Sequence, residues 1–181
     1  MNTDLLRAIT PDEVNTYHRD GVLKLSSMFD KDWIKILNKG LDTNCATPTE
    51  RSRIWNKDAS GRTMFYDTLA WREIEEYKNF IFNSPAAQIC GQLMNAKTIN
   101  FFFDAIFVRS SGTKFESPWH QDEPYWSIEG YDACTLWMPL VPVKQKNCLS
   151  FVPGSHRFKS VFNQYNFGNL TGNPKDQVDF S

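Results

Sequence analysis

The chain changes character near Thr98, and that change constrains its fold more than any other feature. Before it, apolar residues recur at helical spacing. After it, TINFFFDAIFVRS, ACTLWMPLVPV and CLSFVPGS are rich in aromatic and β-branched residues, with glycine, proline and asparagine turns between them. Runs of this kind favour strands in succession, so the chain reads as helices first and sheet second. Its 181 residues and 41% apolar content suit one domain with a sizeable core. That domain is expected to be largely helical over 1–97 and to carry its strands over 98–181.

Within the first part, Thr10 followed by Pro11, Asp12 and Glu13 is a helix start: a capping hydroxyl, then proline and acids in the first turn. Val14 and Tyr17 follow at helical spacing. DGVLKL (20–25) predicts a short strand carrying Val22, Leu23 and Leu25. A second helix is predicted from Asp30 or Lys31 to about Leu41, with Trp33, Ile34, Leu37 and Leu41 on one stripe. The polar stretch from Thr43 to Thr63 predicts a loop able to fold over a site. WREIEEYKNFIF (71–82) and SPAAQICGQLM (84–94) predict two further helices, the latter with Ser84 as cap and Pro85 in its first turn.

A net charge of −1, from 20 basic and 21 acidic residues, supplies no electropositive surface for nucleic acid or anionic lipid. No apolar run approaches the roughly 20 residues that span a bilayer. The N-terminus has acidic residues where a secretory leader would be basic and then apolar, and the four cysteines are widely spaced. These features predict a cytoplasmic, reduced protein in which Cys45, Cys90, Cys134 and Cys148 serve as small buried hydrophobes. Aromatic residues crowd into 101–107 and 119–137, which fits an aromatic-walled pocket as well as an aromatic core.

Inside the second cluster lies SPWHQDEPYW (117–126), where His120 and Asp122 stand two apart. On a strand, side chains two apart leave the same face, so imidazole and carboxylate are placed to grip one metal ion. With no thiolate nearby, Fe(II), Mn(II) or Zn(II) suits the pair. A histidine hydrogen-bonded to a neighbouring carboxylate is the plainer alternative.

The order ITPDEVNTYHRDGVLKL, then PWHQD, then TLWMPLVPVKQKNCLSFVPGSH resembles the phytanoyl-CoA dioxygenase family of Fe(II)- and 2-oxoglutarate-dependent oxygenases, over roughly residues 8–158. The resemblance implies a mainly β fold with N-terminal helices: a double-stranded β-helix, the jelly-roll or cupin-like barrel, with the metal inside its mouth. His120 and Asp122 match the family's two iron ligands. Thr135 and Trp137 match positions lining the 2-oxoglutarate pocket, and Phe107 is a further candidate for that wall. Tyr125, Trp126 and Arg109 are candidates to meet a small-molecule substrate, although packing or a solvated surface also accounts for each. The implied reaction is oxidative decarboxylation of 2-oxoglutarate coupled to substrate hydroxylation. An acidic residue at Asp122 favours hydroxylation over halogenation, because related halogenases have a small residue there.

The family's third ligand is a histidine on a later strand, followed by an arginine that pairs with the far carboxylate of 2-oxoglutarate. His18 belongs to the first helix, and His156, in PGSHRF, is expected to order its loop by hydrogen bonding. The expectation is therefore a barrel incomplete at its C-terminal end, with exposed sheet edges that invite homodimerisation. For the chain itself two outcomes stay open: an oxygenase, whole or as an inactive fragment, and a non-catalytic binding module lacking a complete metal site.

Overall fold

A computed structural model describes residues 1–55, 57, 59–61, 63–113, 117–128, 130, 132–160 and 162. The first helix, α1 (Pro11–Asp20), begins as its sequence predicts. Thr10 Oγ1 accepts from the Glu13 N–H, and the Glu13 carboxylate accepts from the Thr10 N–H, closing a capping box. Arg7 grips the same carboxylate through both terminal nitrogens, at 2.9 and 2.7 Å. That contact and the Thr10 N–H draw the Glu13 carboxyl down to about 2. The helix stops at Gly21, whose φ of 73° lies in the left-handed region. Leu23 and Leu25 then pack into a cluster with Ile9, Met28, Ile89 and Leu93. The strand expected over 20–25 does not form: its apolar residues find a core, but its backbone has no ladder partner among the described residues.

Helix α2 (Lys31–Ala46) is capped by Asp30, which accepts from the Asp32 and Trp33 N–H groups. It runs past the expected end near Leu41 because a tertiary contact holds its last turn. Buried Asn44 donates to buried Asp67 at 2.7 Å. The loop expected from Thr43 to Thr63 accordingly contains the end of α2 and a short strand, β1 (Arg53–Trp55). β1 pairs antiparallel with β2 (Met64–Thr68), and β2 with β3 (Ala105–Arg109).

Between β2 and β3 lie α3 (Glu75–Asn83) and α4 (Ala86–Met94). The helix expected from 71 starts later. Leu69 takes a left-handed φ of 54°, and the Asp104 carboxylate accepts the Trp71 N–H at 3.0 Å, holding Ala70–Arg72 in a 3₁₀ turn. At α4, Pro85 stands at the cap and Ser84 Oγ accepts from the Ala86 N–H. Gly40 lets α2 cross α3 closely, since a β-carbon there would lie 3.0 Å from the Tyr77 ring.

The sheet lays one face on the helices. Ile106 joins the cluster of Leu37, Ala70, Ile74 and Tyr77, and so do Met138 and Leu140. From Cys134 to Leu140 burial alternates: Cys134, Leu136, Met138 and Leu140 are half-buried, while Thr135, Trp137 and Pro139 are exposed. The segment thus has the side-chain period of a strand, without a ladder neighbour among the described residues. The architecture is therefore a helical layer against a three-stranded antiparallel sheet. Among the described residues the expected ladders through ACTLWMPLVPV and CLSFVPGS are not made, and no closed barrel forms. The remainder of the 98–181 part, from residue 163 on, lies outside the described residues. The cysteines also differ from expectation: Cys45 and Cys148 are exposed, and Cys90 and Cys134 half-buried, so none is a fully buried hydrophobe.

Candidate metal centre

Strand β3 delivers the chain to the site. At its end, Arg109 Nη2 donates to Ser117 Oγ at 2.6 Å, tying the strand to the start of the segment that carries His120. That segment is not a strand. Asp122 has helical angles (φ −75°, ψ −37°) and opens a 3₁₀ turn over Glu123–Tyr125, closed by the Tyr125 N–H donating to the Asp122 carbonyl at 2.9 Å. Pro124 favours this turn and resists a continued strand.

The expected pairing survives the change of backbone: His120 Nε2 and Asp122 Oδ1 lie 3.4 Å apart. His120 Nδ1 lies 2.8 Å from the Pro118 carbonyl oxygen. A carbonyl can only accept, so that contact keeps the Nδ1 proton in place and leaves Nε2 facing the carboxylate, as a donor to it when protonated and as the free ligating nitrogen when not. Histidines that bind metals are oriented by the same kind of contact. Asp122 holds the imidazole above its ordinary pKa, against desolvation that acts the other way, and the Pro118 carbonyl adds to the rise. The Tyr125 ring stands edge-on to the imidazole, with centroids 5.9 Å apart and planes at 88°. A separation of 3.4 Å lets both donors reach one ion at the ligand distances of about 2.0–2.2 Å usual for imidazole and carboxylate. The pair therefore fits two positions of a divalent-metal site. Among the described residues no group of three histidine, cysteine or acidic side chains could hold a metal.

Gln121 was not singled out by the sequence, yet it anchors the segment. Its amide nitrogen donates to the Ser160 carbonyl at 3.0 Å, and its amide oxygen accepts from the Phe162 N–H at 2.8 Å. The available signal was positional: a residue between two side chains on one face tends to point the other way.

The remaining candidates divide into groups. Phe107, 54% exposed, packs on Tyr66 at 5.0 Å, and Tyr66 stacks on Trp55 at 4.8 Å, making an aromatic ladder across the sheet face turned away from the helices. Sequence spacing within one strand gives no sign of this cross-strand ladder. Thr135 and Trp137 share the exposed face of their segment, as their spacing predicts, and make no hydrogen bond or ring contact with the His120–Asp122 pair among the described residues. Trp126 meets Phe102 edge-on at 6.5 Å. His156 Nε2 contacts the His18 carbonyl at 3.2 Å, and the Gly154 N–H donates to the Asp20 carbonyl at 2.8 Å, so this histidine docks its loop on the end of α1.

No curated protein and no solved structure matches the chain. The model of one family, phytanoyl-CoA dioxygenase (PhyH), matches residues 17–169. That span takes in the last turn of α1, the sheet, the His120–Asp122 turn and the PGSH loop. A match over so much of the chain means that this protein belongs to the phytanoyl-CoA dioxygenase family.

Proposed function

We propose that the protein is an Fe(II)- and 2-oxoglutarate-dependent dioxygenase of the jelly-roll type that hydroxylates a small molecule, and that His120 and Asp122 are two of its iron ligands. The observation that carries this reading is the orientation of His120, whose Nδ1 proton is held by the Pro118 carbonyl so that Nε2 faces Asp122. When bound, ferrous iron would supply the redox centre at which O₂ and 2-oxoglutarate react to give succinate, CO₂ and a hydroxylated product.

The chain's own side chains do the positioning. Pro118 keeps the proton on Nδ1, Asp122 contributes negative charge beside Nε2, and the edge of Tyr125 limits rotation of the imidazole. Thr135, Trp137 and Phe107 are assigned to the wall of the 2-oxoglutarate pocket. Tyr125, Trp126 and Arg109 are assigned to substrate, with Arg109 steadied by Ser117. Half-buried and exposed thiols fit a reducing compartment, and the cytoplasm is the proposed location.

Iron-dependent formation of succinate from 2-oxoglutarate tests the assignment. Asp122→Ala should abolish it, and full turnover by that variant would remove the assignment. A second reading, a non-catalytic binding module, draws support from the incomplete ligand set among the described residues. Absence of metal binding in the presence of 2-oxoglutarate would select it.

A further inference from the structure

The sheet face turned away from the helices is built as a platform. Antiparallel register sets Arg53 opposite Tyr66 and Tyr66 opposite Phe107, and it sets Met64 between Trp55 and Arg109. Side chains alternate along a strand, so these six residues share one face. Trp55 lies flat on Tyr66, with centroids 4.8 Å apart and planes at 12°, and Tyr66 meets Phe107 at 5.0 Å and 45°. Phe107 ends the stack: among the described residues its one ring contact is with Tyr66, and its ring stays exposed. Rings at these separations already pair as aromatic groups prefer, and the open side of Phe107 accepts a fourth of the same kind.

The charge on this face has one sign. The three strands carry a single acid, Asp67, and it is buried on the helix side with Asn44. Arg53 is exposed, and its Nη1 donates to the Glu50 and Ser52 carbonyls at 3.4 and 2.7 Å. Carbonyls orient the guanidinium without cancelling its charge, and among the described residues Arg53 makes no ion pair. Arg109 leads from the platform toward the candidate metal pair. Its Nη2 donates to Ser117 Oγ at 2.6 Å, and the next residue, Pro118, holds His120 through its carbonyl.

We propose that this face is the substrate platform and that the substrate is a small aromatic acid, its ring laid on Phe107 at the end of the Trp55–Tyr66 stack and its carboxylate drawn to Arg53. That this molecule is a substrate rests on the oxygenase assignment, whereas its binding needs no iron. A saturated acid gains from burial on the rings but not from stacking, so it is held less well. A neutral aromatic molecule keeps the stacking and forgoes the guanidinium, whose planar fork matches a carboxylate. Arg53 stands two strands from Phe107. At the usual strand spacing that is about 10 Å, a gap that a two-ring acid and the flexible arginine stem cover together. Phe107 is also assigned to the wall of the 2-oxoglutarate pocket, so substrate and co-substrate would lie side by side at that ring.

The test is equilibrium dialysis of the full chain, with a chelator present, against 2-naphthoate. Saturable binding is expected, about fivefold tighter than that of its saturated analogue decahydro-2-naphthoate and about threefold tighter than that of neutral 2-naphthalenemethanol. Phe107→Leu keeps the apolar volume but removes the ring. It should weaken 2-naphthoate about fivefold and leave the saturated acid within about twofold. Arg53→Gln should weaken both acids about threefold and leave 2-naphthalenemethanol unchanged. Thermal melts check that both variants fold. No saturable binding by the wild type, equal binding of the saturated acid, or an unchanged 2-naphthoate affinity in either variant would overturn the proposal. So would displacement of 2-naphthoate by excess 2-oxoglutarate, which would put the probe in the co-substrate's place. Because metal is chelated throughout, failure of the platform leaves the iron assignment intact, and failure of the iron assignment leaves the binding result intact.

Discussion

On the helix side of the sheet, Asp67 is fully buried and accepts from the Asn44 amide, the Thr49 hydroxyl and the Thr49 and Thr68 N–H groups. On the other side, Phe107 stands 54% exposed, at the end of the ladder it forms with Tyr66 and Trp55. The two residues sit one position apart in register, Asp67 opposite Ile106 and Tyr66 opposite Phe107. Satisfying every donor around a buried carboxylate fixes α2 and the 49–51 turn against β2, whereas leaving aromatic rings open keeps apolar surface available to a ligand. One face of a small sheet secures the fold, and the other leaves aromatic rings exposed.

Asp67→Ala is the largest expected blow to the helix side. It strands several buried donors and should cost about 3 kcal/mol in a urea or thermal melt. Phe107→Ala should cost under about 1 kcal/mol in the same melt, because half of the ring already meets solvent. Equal losses would erase the contrast between the faces. Gly21→Ala should fall between them, at about 2 kcal/mol. Its φ is positive, and a β-carbon would lie 2.1 Å from His156 Nδ1, so the PGSH loop must leave the end of α1.

The helix side should also show itself in acid. Desolvation pushes Asp67 up, but its bonds from Thr49 and Asn44, joined by Thr68, outweigh that and hold the carboxyl below its ordinary value. A lowered folded-state value means that its contribution is complete above the unfolded value of about 4 and is lost as pH falls from there through the folded value. Urea melts between pH 6 and pH 3 should show this slope in the wild type and a shallower one in Asp67→Asn. The smallest effect is expected from Gln121→Ala. It should leave the melt within about 0.5 kcal/mol, as for other surface changes, while speeding hydrogen exchange of the Phe162 amide that Gln121 now binds.

What could be read in advance was local. Thr10, Pro11 and Glu13 specify the start of α1 through contacts within one turn, and the two-residue spacing of His120 and Asp122 brought imidazole and carboxylate together as expected. The hidden parts depend on residues distant in sequence. The extra turn of α2 comes from Asn44 meeting Asp67, and the delayed start of α3 from Asp104 holding Trp71. The stretches 20–25 and 134–140 carry strand-like patterns, but a strand also needs a neighbour for its backbone, which side-chain periodicity cannot supply. At the candidate centre the spacing was legible, whereas the helical Asp122 and the Gln121 anchor follow from Pro124 and from Ser160 and Phe162.

The central claim is that His120 and Asp122 hold a divalent metal between them. Titration of the full chain with Mn(II) and 2-oxoglutarate, followed by electron paramagnetic resonance of the free ion, tests it most directly. Saturable binding by the wild type is predicted, weakened at least about tenfold in the His120→Ala/Asp122→Ala variant, whose fold is checked by its melt. Equal binding by both proteins, or none by the wild type, would contradict the claim.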